Sequence, residues 1–412
     1  MITKPNWRGA MLDVSRHFLD SAFIKKTISS LAVFDYNRLH LHLTDDQGWR
    51  LESKRFPLLH EIGSTRPRSQ VSHNLAGRKY DDTPHSGYLS QDQIVEIVEF
   101  GLDHGIEIVP EINIPGHTGA LLAAYPELGL EVEKTGVTVD WGISTSLLSP
   151  LPPTFKFLEE LFDEVSGLFP SEYIHVGGDE SLIEHWLRDS RVSALMRQKN
   201  LTDTSEVLAY FMRSVEEILS KLGKKMITWD DAFANNPELA TSAVVMSWRG
   251  EEVAELALRH GREVIEAPVF PLYFDYSHEV SENEPLAIGG PITTADVLAF
   301  KPLANTMGVQ FQLWTEYIQS PEHAEYMMWP RAAALAFACW GEGNNFEEYF
   351  SERRQKLSEI GVNIREEDPR QRKDQSSLGI GKFHPGYPIA AVRSELANAA
   401  SRGLVANNFD LS

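Results

Sequence analysis

The sequence predicts an α/β protein, a (β/α)8 barrel with long βα loops after strands two and three. Short apolar, β-rich runs recur eight times, and between most of them lie stretches whose apolar residues fall at helical spacing. Strands alternating with helices imply a parallel sheet, and eight is the number that closes into a barrel. An open doubly wound sheet is the alternative, but no GxGxxG or GxxxxGK[ST] loop follows any of the runs.

In chain order the runs are GAMLDV (9–14), NRLHLHL (37–43), IEIVPEI (106–112), EYIHVGG (172–178), KKMITW (224–229), AVVMSW (243–248), REVIEA (262–267) and GVQFQLW (308–314). The helical stretches include SQDQIVEIVEFGLDHG, PPTFKFLEELFDEVSGLF, SEVLAYFMRSVEEILSKLG and EEVAELALRHG. Several of these stop at glycine, as a left-handed C-terminal cap requires. Two connections are long, residues 44–105 and 113–171, and in a barrel such insertions stand over the C-terminal mouth. FEEYFSERRQKLSEIG, from residue 346, reads as a closing amphipathic helix. The expected organisation is one catalytic barrel over residues 1–367 and a Gly/Pro/Ser-bearing extension of unknown role over 368–412.

Bulk properties narrow the function. The 412 residues, 42% hydrophobic and 24% charged, describe an ordinary globular protein. A formal net charge of -21 disfavours nucleic acid and anionic membrane as partners. The one cysteine, Cys339, lies in the apolar run AAALAFACW and reads as a buried structural thiol. No segment reaches the roughly 18 uninterrupted apolar residues of a membrane span. The N-terminal MITKPNWRGAMLDVSRHF lacks the apolar core of a signal peptide, so the chain as it stands is expected to be cytoplasmic unless a leader or preceding domain has been removed.

Residues at the C-terminal ends of barrel strands face the active site. Those ends carry Asp13 and Arg16; His42 with Asp45 and Asp46; Glu111, Asn113 and His117; Asp179 and Glu180; Trp229 and Asp230; Trp248; Tyr273 and Asp275; and Trp314 and Glu316. Acids alternate with aromatic residues around one mouth. Aromatic faces suit the C–H faces of sugar rings and carboxylates suit hydroxyls, so carbohydrate is the leading substrate class. Any single tryptophan of the set would be read as core packing. Adjacent residues on a regular strand point to opposite faces; Gly177 and Gly178 free the backbone so that Asp179 and Glu180 can reach one pocket. Two carboxylates held close raise one pKa, the requirement for a general acid beside an ionised partner. The plainer reading of Asp-Glu after Gly-Gly is the acidic first turn of a helix.

In this order, RGAMLDVSRHF, NRLHLHLTDDQGWRLE, GIEIVPEINIPGHTGA, YIHVGGDE, ITWDD, MSWRG and QLWTEY resemble the catalytic domain of glycoside hydrolase family 20, the β-N-acetylhexosaminidases, over roughly residues 6–363. The resemblance implies an exo-acting retaining enzyme that uses no cofactor and no metal. The substrate's own 2-acetamido oxygen attacks the anomeric carbon and forms an oxazolinium ion. It further implies Glu180 as general acid and base, Asp179 orienting the acetamido N–H, and Tyr273 bonded to the acetamido oxygen. Trp229, Trp248 and Trp314 become the aromatic walls, and Arg16 and Glu316 hold the sugar hydroxyls. Asp45 and His117 form a relay behind the acid, with Asp46 and Asp275 adding polar contacts. The partner implied is a β-linked N-acetylhexosamine oligosaccharide or glycoconjugate, and a neighbouring subunit of a homo-oligomer could complete the mouth. Many family members carry a small α+β domain before the barrel, whereas this chain begins almost at strand one. Two rival readings are a catalytically weak carbohydrate-binding relative and a metal-dependent barrel hydrolase using His40, His42, His117 and His175. Glu111 and at least one of His40 and His42 read as buried, hydrogen-bonded residues near the site.

Overall fold

The structure, a computed structural model, describes residues 4–74, 77–130, 136–235, 242–279, 281 and 284–366. The predicted extension therefore lies outside the described residues. Eight parallel strands close into a barrel: β1 (Trp7–Asp13), β2 (Arg38–His42), β3 (Glu107–Ile114), β4 (Tyr173–Gly177), β5 (Lys225–Trp229), β6 (Val244–Ser247), β7 (Val264–Glu266) and β8 (Gly308–Leu313). All eight predicted runs are the eight strands. The seam between first and last is tight: an added Cβ at Gly308, where φ is +153°, would stand 1.8 Å from the Trp7 carbonyl oxygen.

Helical periodicity was equally legible. Gln91–Asp103, Pro152–Leu168, Thr204–Lys221 and Glu251–Arg259 fill the predicted stretches, and Phe346–Ile360 is the closing helix. Gly105, Gly223, Gly261 and Gly361 follow four of these helices with φ between +71° and +79°. Their apolar faces cover the barrel's outer wall, including Ile94, Ile97, Phe157, Leu158, Val207 and Phe211, in one core. Cys339 is buried there as a free thiol. No helix among the described residues is long and apolar enough to cross a membrane.

Period-two alternation sends the other side chains inward, and the barrel interior is polar toward its upper half. Trp7, Met11, Tyr173 and Ile227 pack within the barrel's inner cluster, whereas His40, His42, Glu111, His175, Gln310 and Gln312 are fully buried and polar. Gln310 is a joint between them: its amide oxygen accepts Trp7 Nε1 at 3.0 Å, and its Nε2 lies 3.1 Å from His40 Nδ1.

The two long connections pack on each other above the mouth. Trp141 Nε1 donates to the Gln70 carbonyl at 2.8 Å, and His17 sets its ring 5.5 Å from that of Trp141. Between β7 and β8 the chain is irregular, yet Arg331 holds it fast. This guanidinium is 0% exposed and donates to the carbonyls of Phe274 (2.7 Å), Tyr276 (2.8 Å), Ile292 (3.0 Å) and Met327 (2.7 Å). The segment that carries Tyr273 and Asp275 is thus fixed by this cation together with a backbone bridge to β8, where the Phe274 amide donates to the Gln312 carbonyl at 2.7 Å. Replacing Arg331 by Met strands those buried carbonyls, and we expect a loss of about 3 kcal/mol or more of stability. A urea midpoint within error of the parent's would contradict this account.

Candidate active site

A fully buried carboxylate, Glu111 on β3, organises the mouth. Its Oε2 accepts His42 Nδ1 at 2.6 Å and its Oε1 accepts Trp229 Nε1 at 3.0 Å. His40 Nε2 lies 2.9 Å from Oε2 and His175 Nδ1 lies 3.2 Å from Oε1. Burial works against an ionised carboxyl here, but His42, His175 and His40 together hold its pKa well below the usual range. Trp229 is consequently 1% exposed, with its N–H committed to Glu111.

From Glu111 a chain of charge runs outward. Burial opposes protonation of His42, yet Glu111 and Asp45 outweigh it and push its pKa up to about 10. His42 is therefore an imidazolium that also donates from Nε2 to Asp45 Oδ2 at 2.8 Å. The same Asp45 oxygen takes Arg16 Nη2 at 2.8 Å, and Asp45 Oδ1 faces His117 Nδ1 at 3.2 Å. Despite burial, Arg16 and His117 keep Asp45 far below an ordinary carboxyl. Burial likewise disfavours a charged His117, but Asp45 and Asp179 hold its pKa well above the histidine range. Asp46 sits beside the relay, 3.2 Å from His117 Nδ1, and accepts the Gly119 amide at 2.8 Å.

His117 Nε2 reaches the adjacent acids, 3.7 Å from Asp179 Oδ2 and 3.5 Å from Glu180 Oε2. Both carboxylates do face one pocket. Gly177 (φ +70°) and Gly178 (φ +93°) turn the chain out of β4, and Glu180 itself sits at φ +45°. An added Cβ on Gly177 would stand 1.8 Å from Asn113 Oδ1, so glycine is required for contact as well as for φ. Residues 179–182 are not helical, which sets aside the first-turn reading of the pair. Asn113, where the β3–β4 register shifts, donates from Nδ2 to Asp179 Oδ1 at 2.9 Å.

The two acids sit in different surroundings. The Asp179 side chain is 13% exposed and that of Glu180 38%. Burial, with Glu111, Asp231 and Glu180 nearby, pushes Asp179 up to about 7 against the pull of His117.

The remaining walls come from β1 and from the later strands. Asp13 accepts the amides of Arg16 and Thr315 at 3.1 Å each, which ties the β1 end to the β8 end. Arg16 lies over Trp314, 4.9 Å from guanidinium carbon to ring centroid. Trp314 is 5.8 Å from Trp229 and 6.2 Å from Tyr273, centroid to centroid. Burial, with Asp275 and Asp179 near, raises the Tyr273 phenol well above its ordinary value. Asp275 Oδ1 is buried with no hydrogen-bond partner among the described residues, and burial and Glu316 raise that carboxyl. Burial also raises Glu316 against the charge of Arg16. Trp248 is half-buried, with its indole N–H on Asp231 Oδ2 at 2.8 Å. These contacts join Arg16, Asp45, His117, Asp179 and Glu180 in one chain and bring Trp229, Trp314 and Tyr273 ring to ring, whereas His40 and His175 stay in the barrel interior and Cys339 in the outer core. Asp231 was missed; its only signal was the second acid of ITWDD.

Among the described residues, three groups bring side chains within reach of a common metal ion: His40, Glu111 and His175; Asp45, Asp46 and His117; and His117, Asp179 and Glu180. The first two are already knit into the hydrogen bonds and ion pairs above. The third borders the open pocket.

The family model described as "Glycosyl hydrolase family 20, catalytic domain" matches residues 6–343. A β-hexosaminidase of Porphyromonas gingivalis is 38% identical over 345 residues, covering 81% of this chain and 43% of that protein. One from Vibrio furnissii is 34% identical, covering 80% and 56%. The chain spans about half the length of these relatives. Among solved structures, an exo β-N-acetylglucosaminidase from Vibrio harveyi in complex with N-acetylglucosamine aligns with a TM-score of 0.77 at 31% identity, over 88% of this chain and 59% of that one. A second β-N-acetylhexosaminidase structure reaches a TM-score of 0.80 at 28% identity, over 89% and 80%.

A raised carboxyl weakens the fold above its unfolded pKa. Asp179 moves from 3.8 to about 7, so the folded state binds its proton more tightly and loses stability as pH rises through that window. Asp179→Asn is expected to be more stable than the parent at pH 8 by about 2–4 kcal/mol, and close to it at pH 4. Urea denaturation at the two pH values measures the difference; equal gaps at both would contradict the assignment.

Proposed function

The chain belongs to glycoside hydrolase family 20, and on that premise we propose that it is an exo-acting, retaining β-N-acetylhexosaminidase that removes terminal β-linked GlcNAc or GalNAc from a glycan or glycoconjugate. The observation that carries this reading is the pair Asp179 and Glu180 facing one pocket, backed by His117 and Asn113.

In this reading Asn113 fixes one Asp179 oxygen and leaves the other for the acetamido N–H. The acetamido oxygen, held by the Tyr273 hydroxyl, attacks the anomeric carbon while Glu180 gives its proton to the departing glycosidic oxygen. The product is an alcohol and a cyclic oxazolinium, whose positive charge lies against Asp179. Water then adds to the anomeric carbon, Glu180 takes its proton, and the ring reopens; two displacements give net retention. Trp248 and Trp314 wall the acetamido group and sugar, with Trp229 as backing. Arg16, Glu316 and Asp275 take the ring hydroxyls, Arg16 by charge-assisted bonds. The Asp45–His117 relay holds a positive charge behind the acids, where it steadies Glu180 once its proton has left.

Hydrolysis of 4-nitrophenyl β-GlcNAc, with the β-glucoside as control and a thiazoline analogue as inhibitor, tests the reaction class. Turnover of the first alone, blocked by the thiazoline and unchanged by EDTA, is expected. Loss in EDTA would return the metal-dependent reading, and turnover of the β-glucoside would contradict a reaction that needs the 2-acetamido group. Glu180→Gln is expected to cost roughly 10²–10⁴-fold on substrates with poor leaving groups and less in the first step on activated ones. Asp179→Asn should impair both, and an equal loss on both substrates for Glu180→Gln would count against Glu180 as the acid. Because Asp179 must be ionised to accept the acetamido N–H, kcat/KM is expected to fall as pH drops below about 7. A profile flat from pH 8 to pH 5 would remove Asp179 from that role.

A further inference from the structure

Asp231 belongs to neither the sequence-read set nor the relay, yet it touches two elements of the pocket at once. It follows Trp229 and Asp230 at the end of β5, and it is 5% exposed. Its Oδ2 accepts Trp248 Nε1 at 2.8 Å, and its Oδ1 faces the Glu180 amide at 3.5 Å. Its neighbour Asp230 serves a different purpose, accepting the amides of Trp248 and Arg249 at 3.2 Å and Arg249 Nε at 2.7 Å.

Both of its partners need an outside support. Trp248 lies just beyond β6, half-buried, packed against the barrel's inner cluster with Arg249 5.8 Å from its ring centroid, and its indole N–H is bonded to Asp231. Glu180 stands at φ +45°, a conformation that a side-chain-bearing residue keeps only when its surroundings hold it. A buried carboxylate is a strong acceptor and leaves few alternative geometries for an indole donor.

We propose that Asp231 is a positioning residue: it locks the Trp248 indole as a wall of the sugar pocket and holds the Glu180 backbone where the strained turn puts it. The role in turnover rests on the function proposed above; the two bonds do not. Asp231→Asn keeps an acceptor oxygen for the indole, while Asp231→Ala removes it.

The test reads the bond and the activity separately. With 15N-tryptophan labelling, the nine tryptophans give indole N–H signals, and the Trp248 signal is the one lost in Trp248→Phe. In the unsubstituted protein that proton is expected to exchange slowly with water. In Asp231→Asn it should stay near its parent position, and in Asp231→Ala it should move to the position of a solvent-exposed indole while the others hold. On 4-nitrophenyl β-GlcNAc, Asp231→Ala is expected to raise KM about tenfold, the size of one lost charge-assisted bond, with Asn within about threefold of the parent. Asp231→Ala added to Trp248→Phe should raise KM little further.

Fast exchange of the Trp248 proton in the parent overturns the proposal without any substitution, should Asp231→Ala not fold. An unmoved Trp248 signal in folded Asp231→Ala, or equal KM in Ala and parent, overturns it too. Absence of turnover in the parent, with the indole signals behaving as described, would sink the proposed activity and leave the positioning bond standing.

Discussion

A single buried charge sets the terms for this site. Glu111 is out of contact with water in the barrel interior, where an isolated carboxylate would be far too costly to keep ionised. Protonation would be the ordinary escape. Instead, three histidines and an indole N–H surround it, and at least His42 carries a compensating positive charge. Each compensation creates the next demand: the His42 imidazolium needs Asp45, and Asp45 draws in Arg16 and His117. A residue that touches no solvent therefore fixes the rotamers of groups at the mouth. Replacing one member would leave its neighbour as an uncompensated buried charge, which costs far more than a lost surface pair.

The second constraint is geometric. A strand directs neighbouring side chains to opposite faces, so two adjacent acids share a pocket only if the strand is broken between them and the sheet. Gly177 and Gly178 break it in left-handed conformations, and Glu180 remains in one itself. His117, which faces the pair, also has positive φ, at +52°. Two side-chain-bearing residues in such conformations cost about 1–3 kcal/mol each. The continuous apolar layer between helices and barrel offsets this comfortably. His117 and Glu180 are two of the six non-glycine residues with positive φ among the described residues, and bonds from Asp45 and Asp231 hold them in place.

What was legible in the sequence follows from the range of the forces involved. Strands and helices rest on local apolar periodicity, so all eight strands and the glycine-ended helices could be read directly. Residues such as Arg16, Asp179 and Trp314 were legible because a barrel sends its strand ends to one mouth, wherever they fall in the chain. Contacts between distant residues left no local mark. Glu111 stood out as an acid in an apolar run, but nothing in IVPEI says that His42 and Trp229 are its partners. Trp229 read as a wall like its two companions, and only its bond to Glu111 shows why it is the most buried of the three. The order beneath the irregular stretch around Tyr273 comes from Arg331, nearly sixty residues away along the chain, and from a bridge to the Gln312 backbone.

Nor could the sequence show the surroundings that raise the Asp179 carboxyl. The local sequence of Asp179 and Glu180 is shared, whereas their burial and their charged neighbours are not. Burial pushes the Asp179 carboxyl up, the charge of His117 pulls it down, and Glu111, Asp231 and Glu180 add to the rise, to about 7. The acids around Asp179 favour a positive charge brought to the same spot, whereas burial, the larger cause of its raised pKa, disfavours an uncompensated charge of either sign. Under the proposed reaction the positive charge is the oxazolinium, formed beside Asp179 when the acetamido oxygen closes on the ring carbon. The empty pocket would then carry a proton where the reaction later puts a cation, and its release on binding the acetamido N–H would leave the carboxylate ready for it. Glu111 and Asp231 are buried and held by their own hydrogen bonds before the substrate arrives, so their part of the field needs little reorganisation at the moment of bond breaking.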